Sequence, residues 1–302
     1  MRIGLKSVIA ATLLGVVGTP AFAQTDGTAP AKTPEPSCPL NVPYQPKYFI
    51  DISGGGEMYT YEYASPCIPT AVVESAHEIG MARRVPVENK FVPLDIKTVI
   101  TAQYQATGTY TPPGAKTPLK LTKSRMQISY VVPAFRFDYE ANGVRHIDVW
   151  SYKHAWNETT PGVGATPAMN TLDQRIPLIW LTPQGAIWTA IYAERKTKVS
   201  TVGGKTVFTA PFDQLGIVST TTIGKNKLPE KTVLKYKGRV YEATFADYVD
   251  EEPAYLSKFP SKMIWKLDGK EIGNFSITDF HGDAYCIFNV PANVIKTASQ
   301  SH

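Results

Sequence analysis

Residues 135–150 read FRFDYEANGVRHIDVW, two alternating apolar and polar runs separated by Asn142-Gly143. Both turn residues tolerate the positive φ that a tight two-residue hairpin demands, so the flanking runs are constrained to lie antiparallel. Period two puts Phe135, Phe137 and Tyr139 on one face and Arg136, Asp138 and Glu140 on the other. One face is buried and the other is wet.

Further strand candidates surround this hairpin. KTVITAQYQATGTY and RMQISYVV precede it, with a turn at Pro112-Pro113-Gly114. KTVLKYKG, RVYEATFADY, SKMIWKLDG, KEIGNFSITDF and YCIFNVP come later, with tight turns at Lys237-Gly238 and Asp268-Gly269. A helical interlude over 168–196 separates the two sets. Pro177 interrupts it, and Thr182-Pro183 has the form of an N-cap followed by proline at the first helical position. QGAIWTAIYAER stacks Ile187 with Ile191 and Trp188 with Tyr192. A short APFDQLGI helix is expected next. The order strands, helices, strands predicts an α+β fold, an antiparallel sheet covered on one face by helices.

Upstream, residues 1–23 have the make-up of an export signal: Arg2 and Lys6, an apolar stretch Val8–Val17, and Ala21-Phe22-Ala23 before Gln24. The expectation is a cleaved, exported protein in the periplasm or medium. Residues 24–46, rich in Thr, Ala and Pro, read as a linker. Residues 47–92 form an N-terminal extension with a YFIDI strand, a Gly54-Gly55-Gly56 turn and a helix from near Thr70 that carries Val72, Val73, Ala76, Ile79 and Gly80 on one side. The main domain is expected over 93–295 and a tail over 296–302. Export permits a disulfide. Among the three cysteines, Cys38 and Cys67 share proline-flanked settings and are paired here, while Cys286 falls in a late strand as an inert buried thiol. Without Arg2 and Lys6 the formal +5 becomes about +3, a mild excess that does not call for nucleic acid.

RVYEATFADY, FPSKMIWKLDGKEIGNFSITDF and YCIFNVP together resemble the C-terminal half of proteins with the LolA-like, lipoprotein-carrier-type fold. The likeness lies in a Tyr-x-hydrophobic-x-Phe strand, a proline entry to the next, a Asp-Gly-Lys turn and a closing Phe-x-Val-Pro, and it extends over about 91–294. It implies a curved, half-open antiparallel barrel whose concave apolar face is lidded by helices and accepts lipid chains, with no catalytic motif. The segment before Phe91 has no counterpart, and the chain is long for a dedicated lipoprotein shuttle.

On that reading the cavity and lid residues are Trp180, Trp188, Ile191 and Tyr192 with Phe135, Phe137 and Tyr139. The same spacing equally describes a filled core. A strand over IDVWSYK would put His146, Asp148, Trp150 and Tyr152 on one face, where His146 and Asp148 are the candidate base and orienting acid of an enzyme. They are equally a cross-strand polar face, and His154 to Glu158 then ends the strand. His77-Glu78 has Met81 where a zinc helix needs its second histidine, and the glycine triplet lacks the residues of a phosphate loop. No metal or cofactor is expected. Between Arg195 and Arg239 ten Lys or Arg face only Asp213 and Glu230. Such a segment suits an anionic membrane surface or a solvated strand face. The expected function is an exported binder of a lipid or other amphipathic molecule. The alternatives are an enzyme on the same scaffold and an envelope structural or interaction protein with a filled core.

Overall fold

The computed structural model describes residues 68–81, 86–87, 90–91, 101–130, 132–250, 258–282, 284, 286 and 288–299. Contacts divide the chain into Met1–Pro36 and Ser37–His302, and all described residues belong to the second unit. The expected export signal, linker, YFIDI strand and glycine triplet, with Cys38 and Cys67, lie outside the described residues.

A short ladder joins β1 (Pro86–Val87) to β2 (Lys90–Phe91). The other strands among the described residues build one 13-stranded sheet, antiparallel throughout, in the order β8-β7-β6-β5-β4-β3-β15-β14-β13-β12-β11-β10-β9. Its strands are β3 (Thr101–Tyr110), β4 (Leu119–Ser129), β5 (Ala134–Ala141), β6 (Val144–Ser151), β7 (His154–Glu158), β8 (Thr166–Pro167), β9 (Lys198–Val202), β10 (Lys205–Phe212), β11 (Ile217–Ile223), β12 (Pro229–Tyr236), β13 (Arg239–Asp250), β14 (Lys258–Leu267) and β15 (Lys270–Gly282). The helices are α1 (Thr70–Glu78), α2 (Leu172–Arg175), α3 (Pro183–Ala193) and α4 (Ala292–Ser299).

Two meanders explain this order. β3 to β8 step outward to one edge, and β9 to β15 step back from the other edge until β15 closes on β3. The chain between β8 and β9 must therefore travel from edge to edge, and it does so over the apolar face. The helical lid follows from topology. The sheet stays open, because β8 and β9 do not pair with each other. This is the antiparallel sheet with a helical cover that the strand and helix order predicts, and the sheet is open, as the resemblance implies.

The Asn142-Gly143 hairpin forms as expected, with φ of 53° and 73° and Tyr139 opposite His146, Phe137 opposite Asp148 and Phe135 opposite Trp150. Pro177 ends helical regularity, and Ile176–Leu181 winds as a tighter 3-10 segment. Thr182 caps α3: its hydroxyl oxygen accepts from the Gly185 N–H at 3.1 Å. Every residue of α3 is buried except Tyr192, which is half-buried. A helix apolar all round needs cover on all sides. The sheet supplies one side and α1, from the N-terminal extension, packs on another, burying Val72 and Ala76 together with Ile79 and Met81.

Five expectations change, the last on the outer face of β5–β7. Ala210–Phe212 do not start a helix: Phe208, Ala210 and Phe212 alternate as the inward residues of β10, leaving only a 3-10 turn at Asp213–Leu215. β9, β10 and β11 were not foreseen as strands. Within YCIFNVP the described residues, Cys286 and 288–291, are irregular rather than strand and lead into α4, which occupies much of the expected tail. Tyr152 leaves the face of His146 and Asp148, because its φ of 52° turns the chain into β7, and His154–Glu158 is a strand of its own.

The outer face of β5–β7 is also covered. Ile147, Val149, Trp156 and Val294 form a second small core with Phe288 and Val290. Arg136, expected to be wet, is buried there and paired with Glu158 at 3.0 Å. Glu158 also accepts from Trp156 Nε1 at 2.9 Å and the Gly162 N–H at 2.7 Å. A buried charge needs such satisfaction.

Candidate functional site

At one end of the sheet the β12–β13 and β14–β15 turns and the proline-rich β3–β4 loop meet α2 and the 3-10 segment after it. They enclose a cavity of about 230 Å³. Tyr110, Leu178, Tyr241, Leu267 and Ile272 supply apolar wall, Pro112 to Ala115 form one lip, and Gln174 and Arg239 bring polar groups.

Tyr110 is held from behind. Tyr110 meets Phe137 edge-on at 4.9 Å and Tyr139 at 5.5 Å between ring centroids. Tyr139 in turn stacks on His146 at 5.1 Å and donates its hydroxyl to Asp148 Oδ2 at 3.4 Å. The other Asp148 oxygen accepts from Arg175 Nη2 at 3.0 Å. Arg175 is the last residue of α2 and donates further to the carbonyls of Val149 (2.9 Å) and Trp156 (2.7 Å) and to Asn157 Oδ1 (2.6 Å). Gln174 in the cavity wall thus sits beside a residue that bolts α2 to the β6–β7 hairpin. Burial raises the Asp148 carboxyl above its ordinary range, with the Arg175 charge working against the shift. Burial likewise pushes the Tyr110 and Tyr139 phenols upward.

The rim carries ion pairs. Lys237 reaches Asp173 at 2.7 Å, where the Tyr236 hydroxyl also donates at 3.3 Å. Arg239 donates twice to Asp268 Oδ2, at 3.0 and 2.9 Å, and the Val240 N–H donates to Asp268 Oδ1 at 2.9 Å. That N–H first, and then Arg239, hold the Asp268 carboxyl below its ordinary range.

His146 and Asp148 share a face, and each has other partners. The carboxylate oxygens go to Arg175 and Tyr139, and the imidazole lies against the Tyr139 ring. Trp180, Trp188 and Ile191 are buried and Tyr192 half-buried. Tyr192 stacks on Phe212 with rings 4.9 Å apart and 5° from parallel, and Trp180 meets Phe212 edge-on at 5.0 Å. Phe135, Phe137 and Tyr139 lie beneath them in the same core. None of these seven lines the cavity; Phe137 and Tyr139 touch it only through Tyr110. The Trp180 Nε1–H is buried without a partner.

A second, more open cleft of about 500 Å³ lies by the end of α1, lined by Lys225, Lys227, Lys258, Glu78, Asp250 and Tyr248 among others. Lys225 and Lys227 go to this cleft and Lys237 and Arg239 to the cavity end. Acids answer Lys196 (Asp213), Lys205 (Glu230), Lys227 (Glu74), Lys231 (Glu242), Lys237 (Asp173) and Arg239 (Asp268). Cys286 is a half-buried free thiol whose pKa burial pushes up to about 11.

No protein-family model and no curated protein matches the sequence. Among solved structures the chain is similar to a LolA superfamily protein from Nitrosomonas europaea, at 12% identity and a TM-score of 0.39, over 74% of this chain and 96% of that one. It is also similar to a chain in the Pseudomonas aeruginosa MucA/MucB complex, at 14% identity and a TM-score of 0.20, over 72% of this chain and 59% of that one.

Proposed function

We propose that this protein is an exported, non-catalytic binder that holds a lipid tail, or another apolar or amphipathic small molecule, in the cavity beside α2. The composition of the cavity carries this reading. Apolar walls from Tyr110, Leu178, Tyr241, Leu267 and Ile272, with only Gln174 and Arg239 as long polar side chains, match the usual make-up of small-molecule sites. A volume of about 230 Å³ falls below the roughly 300–1,000 Å³ of drug-sized sites. The occupant is therefore one short chain, or the end of a longer one. Arg239 and Asp268 are both about half-exposed at the surface. Exposed pairs contribute little to stability, so an incoming carboxylate or phosphate can take the guanidinium at little cost. Cleavage after Ala23 and a Cys38–Cys67 bridge belong to the same reading, and intact mass without reductant tests both.

Titration of the purified protein with a medium-chain fluorescent fatty acid tests the binding itself. The wild type binds, and Leu178→Trp, which fills the cavity, weakens affinity about tenfold or more, equivalent to roughly 1.4 kcal/mol. A wild type that binds no acyl probe and carries nothing extractable into organic solvent defeats the proposal. One observation favours a second reading, an envelope interaction protein with a filled core: the packing of Trp180, Trp188 and Ile191 leaves the lid dense. The same titration separates the two.

A further inference from the structure

The two edges of the sheet differ. β8 is two residues long, ends in Pro167, and has α4 packed beside it. Proline lacks the N–H that an incoming strand needs. β9 is five residues, KVSTV, without proline, and every residue is exposed. Val199 and Val202 are 43% and 63% exposed, and no described strand pairs with the outer side of β9. A proline-less edge strand with exposed valines, unpaired among the described residues, is a template for strand addition.

We propose that the occupant of this edge is β9 of a second copy of the chain, joined antiparallel about Ser200 to continue the sheet across a two-fold axis. The register supports it. Centred on Ser200, pairing places Lys198 opposite Val202 of the partner and Val199 opposite Thr201. Lys198 is the only charged residue of the strand, so no like charges meet directly, which is the arrangement that would oppose pairing. Each exposed valine gains a cross-strand neighbour. Val199 stands on the same face as buried Phe208, its partner in β10, so the join continues the inner surface. The blocked opposite edge decides the stoichiometry. Head-to-tail addition of β9 to β8 would grow a filament, whereas a single open edge allows only an isologous pair, which closes at two. A five-residue ladder buries less than the roughly 1,200–2,000 Å² of a stable complex, so the dimer forms with rising concentration.

Light scattering coupled to size exclusion, on the full exported chain over a range of concentrations, tests this. The expected mass climbs from monomer toward dimer. Ser200→Lys, which sets two like charges on the axis, holds it at monomer with an unchanged melting temperature. Ser200→Cys cross-links as a dimer under mild oxidation, while Lys198→Cys, off the axis, does not. Monomer mass at every concentration overturns the proposal. So does a dimer that persists in Ser200→Lys, or a Ser200→Cys bond that closes within one chain on Cys38 or Cys67. None of these results depends on whether the cavity binds a ligand.

Discussion

Arg175 at the end of α2 and Asp148 in the middle of β6 are joined at 3.0 Å, and both are largely withdrawn from solvent. Of the guanidinium nitrogens, Nη1 and Nη2 reach four acceptors and only Nε lacks a partner. The pair fixes the cavity-bearing helix to the hairpin.

Removing the cation strands the anion. Arg175→Met leaves Asp148 buried beside Tyr139 with no compensating charge, and breaking a buried pair in this way costs about 3–5 kcal/mol. Urea unfolding should show a loss of that size. Asp148→Leu together with Arg175→Met should recover much of it, because apolar replacement of a whole pair is often neutral. A double variant as unstable as the single one would show that the carbonyls of Val149 and Trp156 are the main partners of Arg175.

Asp148 also sets a pH dependence. Its folded pKa lies above its ordinary value of 3.8, so between those two values the folded state holds the proton that the unfolded state has released. Its stabilising contribution is complete below about 3.8 and is lost as pH rises through the raised value. Asp148→Asn removes that titration. The stability of wild type relative to Asp148→Asn should therefore fall as pH rises from below 3.8 and level off once the folded carboxyl is ionised, read from paired urea curves. An opposite slope would mean that Arg175 outweighs desolvation.

Local chemistry made parts of this fold legible. Asn142-Gly143 and Thr182-Pro183 carry their own geometry, and the inward set Phe135, Phe137 and Tyr139 follows from period two. β9 and β11 were obscured because they are rich in Ser and Thr with few apolar residues, and β10 because APFDQLGI was read as a helix, which broke the alternation of Phe208, Ala210 and Phe212. The cavity was hidden for a different reason. Tyr110, Gln174, Leu178, Arg239, Tyr241, Leu267 and Ile272 come from five stretches that only the antiparallel order brings together. Trp188 and Ile191 carry a periodic signal because the core selects for it, and a cavity wall contributed one residue at a time has no period.

The turn predicts its own sensitivity. Gly143 has φ of 73°, and a Cβ there would meet nothing within 4 Å. The cost of Gly143→Ala is therefore conformational, about 1–2 kcal/mol for an L-residue held in the left-handed region. A melting temperature unchanged on substitution would show that the β5–β6 turn can relax to another type.

The remaining prediction separates core from cavity within one lid. Ile191 is fully buried in α3, among the aromatic residues of the core, whereas Leu178 lines the cavity. Spacing alone suggests that Ile191 touches ligand, in which case truncation would cost affinity more than stability. The packing reverses this. Ile191→Ala should remove about 2–5 kcal/mol of stability, as a large-to-small change does in a filled core, and leave fatty-acid affinity unchanged at a temperature where the variant stays folded. Leu178→Ala borders space that already exists, so less packing is lost, and the penalty should appear as weaker binding, about tenfold or roughly 1.4 kcal/mol. Urea unfolding and probe titration of both variants give four numbers. If Ile191→Ala loses affinity while keeping its stability, the ligand lies beneath α3 and the end cavity is not its site.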